Sequence, residues 1–546
     1  MNELHENLFK LLIELDDLCR EHDIDYVLSG GTALGAIRNQ CFLPWDDDID
    51  LFITRDNWKK LFELVTNHPE VLPENRDFIC MENTKYYRNP IIRYVDTSTT
   101  RMYASQAVAA KTCGDQIEFF ILDPIPNVED GQEEHLKMMD VFFEVLSPYF
   151  VVSQFLSLDG FEEHKKLVNK YYKKIEEEGF SKVIKELYKK GFTYPAEKAD
   201  NLRLRWGMRN GIYKSRFFSG KRYEMLEGRK FPVAYELEHA LRNDYGDTWM
   251  YIPEGTGQVS HNFIIDDTNR SFKDFSDIYL KFVSQKKVVN SYQRNKRNNI
   301  ELWNIRREVD LEKEKLNEIV AKKEIDKIIE SHGYDVEDLL KNRQFDTLNH
   351  IFDRYYSIQL NQNCKRYSMM VELDSELLKI AILSKLQQGH YYAADSILAI
   401  IEDNVGLNDF YRHLREICEY CRKLSIAIYD NYDVGAVGEL LNDIPQDYSN
   451  LIDVFRATLW YKLKTAKSDE DYDEIINQGS EMLEYYPNDG ELMSHIAEAY
   501  FNLNNMDKAK EFYEFAVNNT RNGFVWRKAK ENVGIDRMAR EEVYVI

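Results

Sequence analysis

Four aspartates lie within five residues in the segment WDDDIDLFI, which covers residues 45–53. The end of this segment has the alternating apolar pattern of a β-strand, and alternate strand residues face the same side of a sheet. Asp48 and Asp50 should therefore point together to one face, while the apolar residues between and after them point to a core. Two carboxylates in one cleft are a candidate for metal-assisted chemistry.

Two neighbouring carboxylates favour a metal ion because both are negatively charged. Carboxylates this close repel each other, and the pKa of one of them rises unless a cation neutralises them. A divalent cation suits paired carboxylate oxygens, and Mg²⁺ is the usual ion where phosphates supply further ligands. We therefore expect Asp48 and Asp50 to bind Mg²⁺, with Mn²⁺ as the alternative ion. Asp46 and Asp47 have a second interpretation, as a solvated acidic turn that caps a helix.

A glycine pair precedes these acids. Gly30 and Gly31 follow a strand predicted over 23–29 and lie at the start of a predicted helix. Glycines let backbone amides approach a ligand closely, and the free N–H groups at a helix N-terminus bind phosphate. We expect Gly30, Gly31 and Thr32 to contact a phosphate group. The simpler alternative is an ordinary helix cap formed by Ser29 or Thr32.

The order of elements around these residues is mixed. Helices and strands alternate in the first part of the chain, which predicts an α+β domain with a mixed sheet over residues 1–270. The predicted helices cover residues 3–22, a segment from about Thr32, and 55–67, and the predicted strands cover residues 23–29, 48–53, 91–95 and 116–122. Asp48 and Asp50 would thus lie at the start of a strand that directly follows a loop.

From about residue 270 the pattern becomes helical, and Pro and Gly become rare. We expect a charged helical linker over 271–340 and an all-α domain over 341–546. The second domain contains one segment, 490–519, with the small and large alternation typical of a tetratricopeptide helix pair. That pattern consists of Ala497, Tyr500, Ala509, Tyr513 and Ala516, with a weaker copy at Ala381, Ala393 and Ile397. An irregular helical bundle is the alternative.

The composition of the chain argues against some functions and locations. The chain has 546 residues and a formal net charge of −23, which argues against a nucleic-acid partner because such partners need basic surfaces. Its seven cysteines are irregularly spaced, as expected of reduced thiols. The sequence shows no signal-peptide pattern and no long apolar run. We expect a cytoplasmic protein.

One segment has a family resemblance. GGTALGAIRNQCFLPWDDDID, residues 30–50, resembles the motif of the LicD family in the DNA polymerase β-like nucleotidyltransferase superfamily, which includes the fukutin-related proteins. IEFFILD, residues 117–123, is similar to a later family strand, with Glu118 where Asp is usual. YGDTWMYIP, residues 245–253, and His261 resemble the end of such domains. The resemblance covers roughly residues 5–265.

The resemblance implies a Mg²⁺-dependent phosphotransferase. Its donor would be a CDP-activated alcohol, and the transferred group would be phosphocholine, phosphoribitol or a similar phospho-alcohol. The acceptor would be a hydroxyl of a cell-surface glycan, and CMP would be released. A lipid-linked acceptor would bring the protein to the inner membrane face. Two alternatives stay open: a nucleotidyltransferase acting on a small alcohol or sugar, and an inactive scaffold. The helical region would bind a protein partner or a second copy of the chain.

The resemblance also implies roles for residues. Asp48 and Asp50 would bind the metal ion, and Glu118 would be its third ligand or the general base for the acceptor hydroxyl. Arg38 and Arg93 would bind the donor, although a surface ion pair is an equally simple role for Arg38.

Overall fold

The protein is described by a computed structural model. It describes residues 3–102, 112–147, 158–204, 211–252, 263–279, 281, 284–299, 302–360, 370–445 and 448–535. The chain divides into two compact units. The first contains Met1–Trp249 and Pro253–Trp303, and the second contains Met250–Ile252 and Asn304–Ile546.

The first unit is an α+β domain. Its strands are β1 Tyr26–Leu28, β2 Ile49–Thr54, β3 Arg76–Ile79, β4 Ile92–Asp96, β5 Thr100–Met102, β6 Gln116–Ile125, β7 Asn201–Leu204, β8 Ile212–Lys214, β9 Arg222–Leu226, β10 Arg229–Val233 and β11 Ile265–Asp267. Its helices are α1 Glu3–Glu21, α2 Gly30–Asn39, α3 Arg55–Asn67, α4 Gln132–Leu146, α5 Leu158–Glu178, α6 Phe180–Gly191, α7 Leu237–Tyr245, α8 Phe272–Tyr279 and α9 Gln285–Asn299.

Nine of these strands form one sheet. Along its main path the order is β3-β4-β6-β2-β1-β10-β9, and β7 pairs with the second half of β6 and with β8. Strand β2 is parallel to β6 and β1 is parallel to β10, whereas β4 and β6 are antiparallel. The sheet is therefore mixed, as the sequence predicted. Strands β5 and β11 form a separate two-stranded ladder.

Strand β2 lies in the middle of the sheet because its apolar face is fully buried. Ile49 and Leu51 are 0% exposed, and Ile53 is 1% exposed. The strand ends at Thr54, whose side chain caps α3 by accepting a hydrogen bond from the backbone N–H of Asn57. This cap explains why strand and helix follow each other without a loop.

The second unit is helical. Its α-helices are α10 Leu302–His332, α11 Val336–Lys341, α12 Phe345–Gln359, α13 Ser375–Gln387, α14 Tyr391–Val405, α15 Asp409–Ser425, α16 Val434–Asn442, α17 Ile452–Thr465, α18 Asp469–Leu483, α19 Gly490–Asn502, α20 Met506–Asn519 and α21 Gly523–Val533. A short π-helix, Ile426–Asp430, follows α15. Among the described helices, none is both long enough and apolar enough to cross a bilayer.

The division into units differs from the predicted linker over 271–340. That segment is divided at Trp303, with its first part in the first unit and its second part in the second. The physical reason is visible in α10, where Ala321 and Ile325 are 0% and 1% exposed in the core of the second unit. Apolar residues on a helix face of this kind pack rather than span solvent.

The predicted helix pair at 490–519 is present as α19 and α20. Ala497, Ala509, Tyr513 and Ala516 are all 0% exposed, so the small residues lie between packed helices. Whether these helices form a tetratricopeptide repeat stays a prediction.

Candidate active site

Three carboxylates meet at the start of β2. Asp50 lies on β2 directly opposite Glu118 on the parallel strand β6, and Asp48 immediately precedes β2. One oxygen from each of Asp48, Asp50 and Glu118 can be chosen so that all three lie within 4.8 Å of one another. Asp48 is 8% exposed and Glu118 is 6% exposed. The structure thus brings together the three acids that sequence analysis selected as metal ligands.

The electrostatics of this cluster fit a cation. Burial raises the pKa of the Asp50 carboxyl well above its usual value, and Asp48, Glu118, Asp46 and Asp47 raise it further, in that order. Each of these neighbours is a carboxylate that opposes a negative charge on Asp50. A divalent cation among the oxygens would remove the repulsion. The residues present therefore suit Mg²⁺ or Mn²⁺.

The turn between β1 and α2 positions Asp50. The backbone N–H of Asp50 donates to Thr32 Oγ1 at 3.0 Å, and its carbonyl oxygen accepts from the backbone N–H of Ser29 at 2.9 Å. Thr32 is 1% exposed. Its hydroxyl oxygen therefore helps to hold the acid strand in place, and the phosphate contact expected of Thr32 stays a prediction.

Gly30 and Gly31 are required by the acids themselves. A Cβ atom on Gly30 would lie 2.5 Å from Asp50 Oδ2, and one on Gly31 would lie even closer to Asp46 Oδ2. Gly30 also has a φ of +54°, in the left-handed region that favours glycine. Helix α2 begins at Gly30, earlier than the predicted start near Thr32. Its positive N-terminal end thus faces carboxylates, and the phosphate contact stays a prediction.

Arg93 lies beside Glu118 on the antiparallel strand β4. Its Nε donates to Glu118 Oε1 at 2.9 Å, and Gln116 Nε2 donates to the same oxygen at 2.7 Å. Arg93 is 3% exposed. In this structure Arg93 therefore contacts a site acid, whereas sequence analysis assigned it to the substrate. Gln116 was missed, although its two-residue spacing from Glu118 on a strand was a usable signal.

Arg38 is fully buried in α2, at 0% exposure, so the surface ion pair considered for it is wrong. Tyr245, at the end of α7, interacts electrostatically with Arg38 and with three acids. Burial raises the pKa of the Tyr245 hydroxyl, as do Asp244, Asp50 and Asp46, and Arg38 lowers it. Arg38 therefore contributes positive charge near the cluster, and its contact with the donor stays a prediction.

Arg101 on β5 is a site residue that sequence analysis did not find. Its guanidinium donates to the backbone carbonyl of Asp47 and lies 3.3 Å from Asp266 Oδ1 and 3.8 Å from Asp115 Oδ1. It also lies over the ring of Phe263, at 4.0 Å from the centroid. Asp47 is 8% exposed, so it is not the solvated turn residue that the sequence suggested. No local pattern marks Arg101, because its partners come from distant segments.

Two residues of the later motif, Pro253 and His261, lie outside the described residues. The preceding Trp249 is 2% exposed.

Comparison with known proteins agrees with this geometry. The family model described as "LicD/FKTN/FKRP, nucleotidyltransferase domain" matches residues 23–108. The chain is 27% identical over 255 residues to the lipopolysaccharide cholinephosphotransferase LicD of Haemophilus influenzae, which is 45% of this chain and 89% of that protein.

Shorter matches occur with two uncharacterized proteins of Rickettsia. The proteins of Rickettsia prowazekii and Rickettsia typhi are each 35% identical over 51 residues, which is 9% of this chain and 19% and 16% of theirs. No solved structure matches the chain. The family match includes the glycine pair, Asp48 and Asp50. Residues 23–108 of this chain are therefore similar to the nucleotidyltransferase domain of the LicD/FKTN/FKRP family, and the similarity to the Haemophilus protein supports the same assignment.

Proposed function

We propose that the N-terminal unit is a metal-dependent transferase. It moves a phosphorylated alcohol, such as phosphocholine or phosphoribitol, from a CDP-activated donor to a hydroxyl group of a cell-surface glycan and releases CMP. The observation that carries the proposal is the cluster of Asp48, Asp50 and Glu118, whose oxygens lie within 4.8 Å of one another. The cluster lies in a region similar to a lipopolysaccharide cholinephosphotransferase.

In the proposed reaction, the protein positions the metal ion and the donor and supplies the charged groups that hold the ion. Asp48, Asp50 and Glu118 would hold Mg²⁺ or Mn²⁺ at the start of β2. When bound, the ion supplies charge neutralisation for the donor diphosphate and for the oxygen that leaves with CMP. Transfer of a phosphoryl group needs mainly positioning and electrostatic stabilisation, so few further groups are required.

The first turn of α2 would receive phosphate oxygens. Gly30 and Gly31 carry no side chain that would block a ligand from the backbone N–H groups there. The carboxylates of Asp50 and Asp46 lie against the same two glycines. Phosphate and metal ion would therefore occupy neighbouring positions, and each would lower the electrostatic cost of binding the other.

The similarity to a lipopolysaccharide cholinephosphotransferase supports a glycan as the acceptor. We propose a glycan acceptor, lipid-linked in the cell, and therefore a place of action at the inner membrane face. The helical second unit would bind a protein partner or a second copy of the chain.

A CMP-release assay tests the proposal. The full chain is incubated with Mg²⁺, an acceptor glycan and one of CDP-choline, CDP-ribitol, CDP-glycerol or CDP-ethanolamine. We expect one donor to yield CMP, and we expect at least about 100-fold less CMP from Asp48→Asn and Asp50→Asn. Asp56→Asn is the matched control because Asp56 is 71% exposed at the start of α3, and it should retain the wild-type rate.

Other products would point elsewhere. Release of pyrophosphate from a nucleoside triphosphate, with no reaction of any CDP-alcohol, would contradict the proposed donor class and favour a nucleotidyltransferase. Failure to bind either Mg²⁺ or Mn²⁺ would contradict the transferase proposal altogether and favour a scaffold.

A further inference from the structure

The two oxygens of Glu118 have different surroundings. Oε1 accepts one hydrogen bond from Arg93 Nε at 2.9 Å and one from Gln116 Nε2 at 2.7 Å. Within the part of the chain that the structure describes, no hydrogen bond reaches Oε2. A carboxylate oxygen with two donors has both lone pairs engaged. Only Oε2 is thus available to a ligand.

The two donors are themselves held in place. Arg93 and Gln116 are 3% and 4% exposed. The Arg93 guanidinium lies over the ring of Tyr87, at 5.9 Å from its centroid, and the Tyr87 hydroxyl donates to the carbonyl oxygen of Ile91 at 2.8 Å. Gln116 is on the same strand as Glu118 and on the same face of it. The position of Glu118 Oε1 is therefore held by its neighbours before any ligand binds.

This arrangement bears on the two roles that the sequence left open for Glu118, metal ligand and general base. One oxygen cannot coordinate a cation and accept the proton of an acceptor hydroxyl at the same time. One oxygen of Glu118 belongs to the same cluster as oxygens of Asp48 and Asp50. If the available oxygen of Glu118 coordinates a cation together with these two acids, the general base is another group.

Charge limits the number of ions. The cluster contains three carboxylates, and the buried guanidinium of Arg93 is paired with one of them. Counted by themselves and fully ionised, these three carboxylates and Arg93 carry a net charge of −2, which a single divalent cation balances. A second ion would need additional negative charge, and the diphosphate of the donor would supply it.

We propose that Arg93 and Gln116 are positioning residues that hold Glu118 as a one-oxygen metal ligand, so that the chain alone binds one divalent cation and Glu118 is not the general base. This inference rests on the proposed function, because it assumes that the acid cluster binds a metal ion.

The test measures binding of Mn²⁺ to the full chain by titration calorimetry, with no nucleotide present. Arg93→Lys keeps the charge and loses the planar donor group, and Gln116→Leu keeps the volume and loses the donor. We expect one Mn²⁺ per wild-type chain and about tenfold weaker affinity in each variant, the usual cost of losing a partner of a metal ligand. Thermal unfolding checks that each variant is folded.

Arg55→Lys is the matched control. Arg55, the first residue of α3, makes the same kind of buried pair with an acid on the strand of Glu118, since its Nε lies 2.8 Å from Asp123 Oδ1 and its Nη2 2.8 Å from Asp123 Oδ2. This variant loses a planar donor group that faces β6, but not one that contacts the acid cluster. We expect its affinity for Mn²⁺ to equal that of the wild type.

Glu118→Gln separates ligand from base. If Glu118 is a metal ligand, this variant should lose Mn²⁺ affinity. If Glu118 is the general base, the variant should lose turnover but keep its Mn²⁺ affinity. Unchanged affinity in both Arg93→Lys and Gln116→Leu, or binding of two ions per chain, would overturn the inference while leaving the proposed function in place. Unchanged affinity in Glu118→Gln would overturn the inference and would also remove Glu118 from the proposed metal ligands, leaving Asp48 and Asp50. A wild-type chain that binds no Mn²⁺ would overturn the proposed function itself.

Discussion

Asp50 and Glu118 are direct partners in the register of the parallel strands β2 and β6, and Arg93 continues the same row on β4. Three segments separated by many residues thus present two carboxylates and one guanidinium side by side. Asp48 completes the cluster from the end of the preceding loop. The candidate metal site is therefore a property of strand pairing as much as of the acidic motif.

The first prediction concerns Asp50→Asn. The Asp50 carboxylate is destabilised by burial and by the acids around it, so its replacement by a neutral isostere should stabilise the metal-free protein. We expect the melting temperature to rise by roughly 2–4 °C, the effect of about 1 kcal/mol in a domain of this size. We also expect the stabilisation by Mn²⁺ to disappear. Differential scanning calorimetry with EDTA and with Mn²⁺ measures both effects.

A lower melting temperature of Asp50→Asn in EDTA, or full stabilisation by Mn²⁺, would contradict this prediction. Asp56→Asn, at an exposed position, serves as the control and should behave as the wild type in both conditions.

The second prediction compares two glycines. Gly30 and Gly228 have φ values of +54° and +82°, so alanine strains the backbone at both. Only at Gly30 does the new Cβ meet an atom, Asp50 Oδ2 at 2.5 Å, whereas it meets nothing within 4 Å at Gly228. We expect both variants to lose about 1–2 kcal/mol of unfolding free energy. Gly30→Ala alone should also weaken Mn²⁺ binding, because Asp50 must move.

Chemical denaturation and Mn²⁺ titration of the two glycine variants check this expectation. Equal Mn²⁺ affinity in Gly30→Ala and Gly228→Ala would show that Asp50 does not depend on the close approach of the turn.

The third prediction concerns pH. Burial raises the pKa of the Asp244 carboxyl from 3.8 to about 7, and a hydrogen bond from the Tyr213 hydroxyl opposes this rise. The folded protein therefore holds a proton on Asp244 that the unfolded chain releases near its ordinary pKa. Between these two values the folded state binds more protons, so its unfolding free energy falls as the pH rises.

Asp244→Asn should remove this part of the pH dependence. Urea unfolding at about pH 5 and about pH 8 measures the difference for both proteins, and we expect a smaller loss of stability in the variant. An equal or larger loss in Asp244→Asn would contradict the prediction. The exposed Asp56→Asn again provides a control, with the wild-type dependence.

The fourth prediction concerns the helical unit. Arg456 donates to Asp489 Oδ2 through Nε at 3.0 Å and Nη2 at 2.7 Å. Asp489 also caps α19 through Oδ1, which accepts from the backbone N–H groups of Glu491 and Leu492. The Asp489 side chain is 3% exposed. Arg456→Met would leave a buried carboxylate without its cation, and we expect a loss of about 3–5 kcal/mol.

Arg412→Met is the control for Arg456→Met. Arg412 and Asp409 form an ion pair whose side chains are 61% and 98% exposed, so its loss should cost less than about 1 kcal/mol. Both values come from urea unfolding followed by circular dichroism. Similar losses in the two variants would mean that burial of the Arg456 pair has no energetic consequence.

Local signals in the sequence were sufficient for the elements around the site. The helix predicted over 55–67 is α3, and the strand predicted over 48–53 is β2, displaced by one residue at each end. Apolar alternation and a capping threonine act within a few residues, so a single sequence contains them in full. The linker predicted over 271–340 differs from the division at Trp303, because burial of α10 depends on helices that follow it.

The sequence by itself determined the acid pair Asp48 and Asp50, the glycine pair before it and the family of the N-terminal part. Only the tertiary structure decided which residues complete the site. The pairing of β4 with β6 brings Arg93 to the same Glu118 oxygen that Gln116 contacts from two residues away, and Arg101 reaches the backbone carbonyl of Asp47 from β5. The periodicity of apolar residues predicts which face of a strand a side chain lies on. The register between two strands, however, depends on how their buried faces pack, and that packing involves the whole sheet.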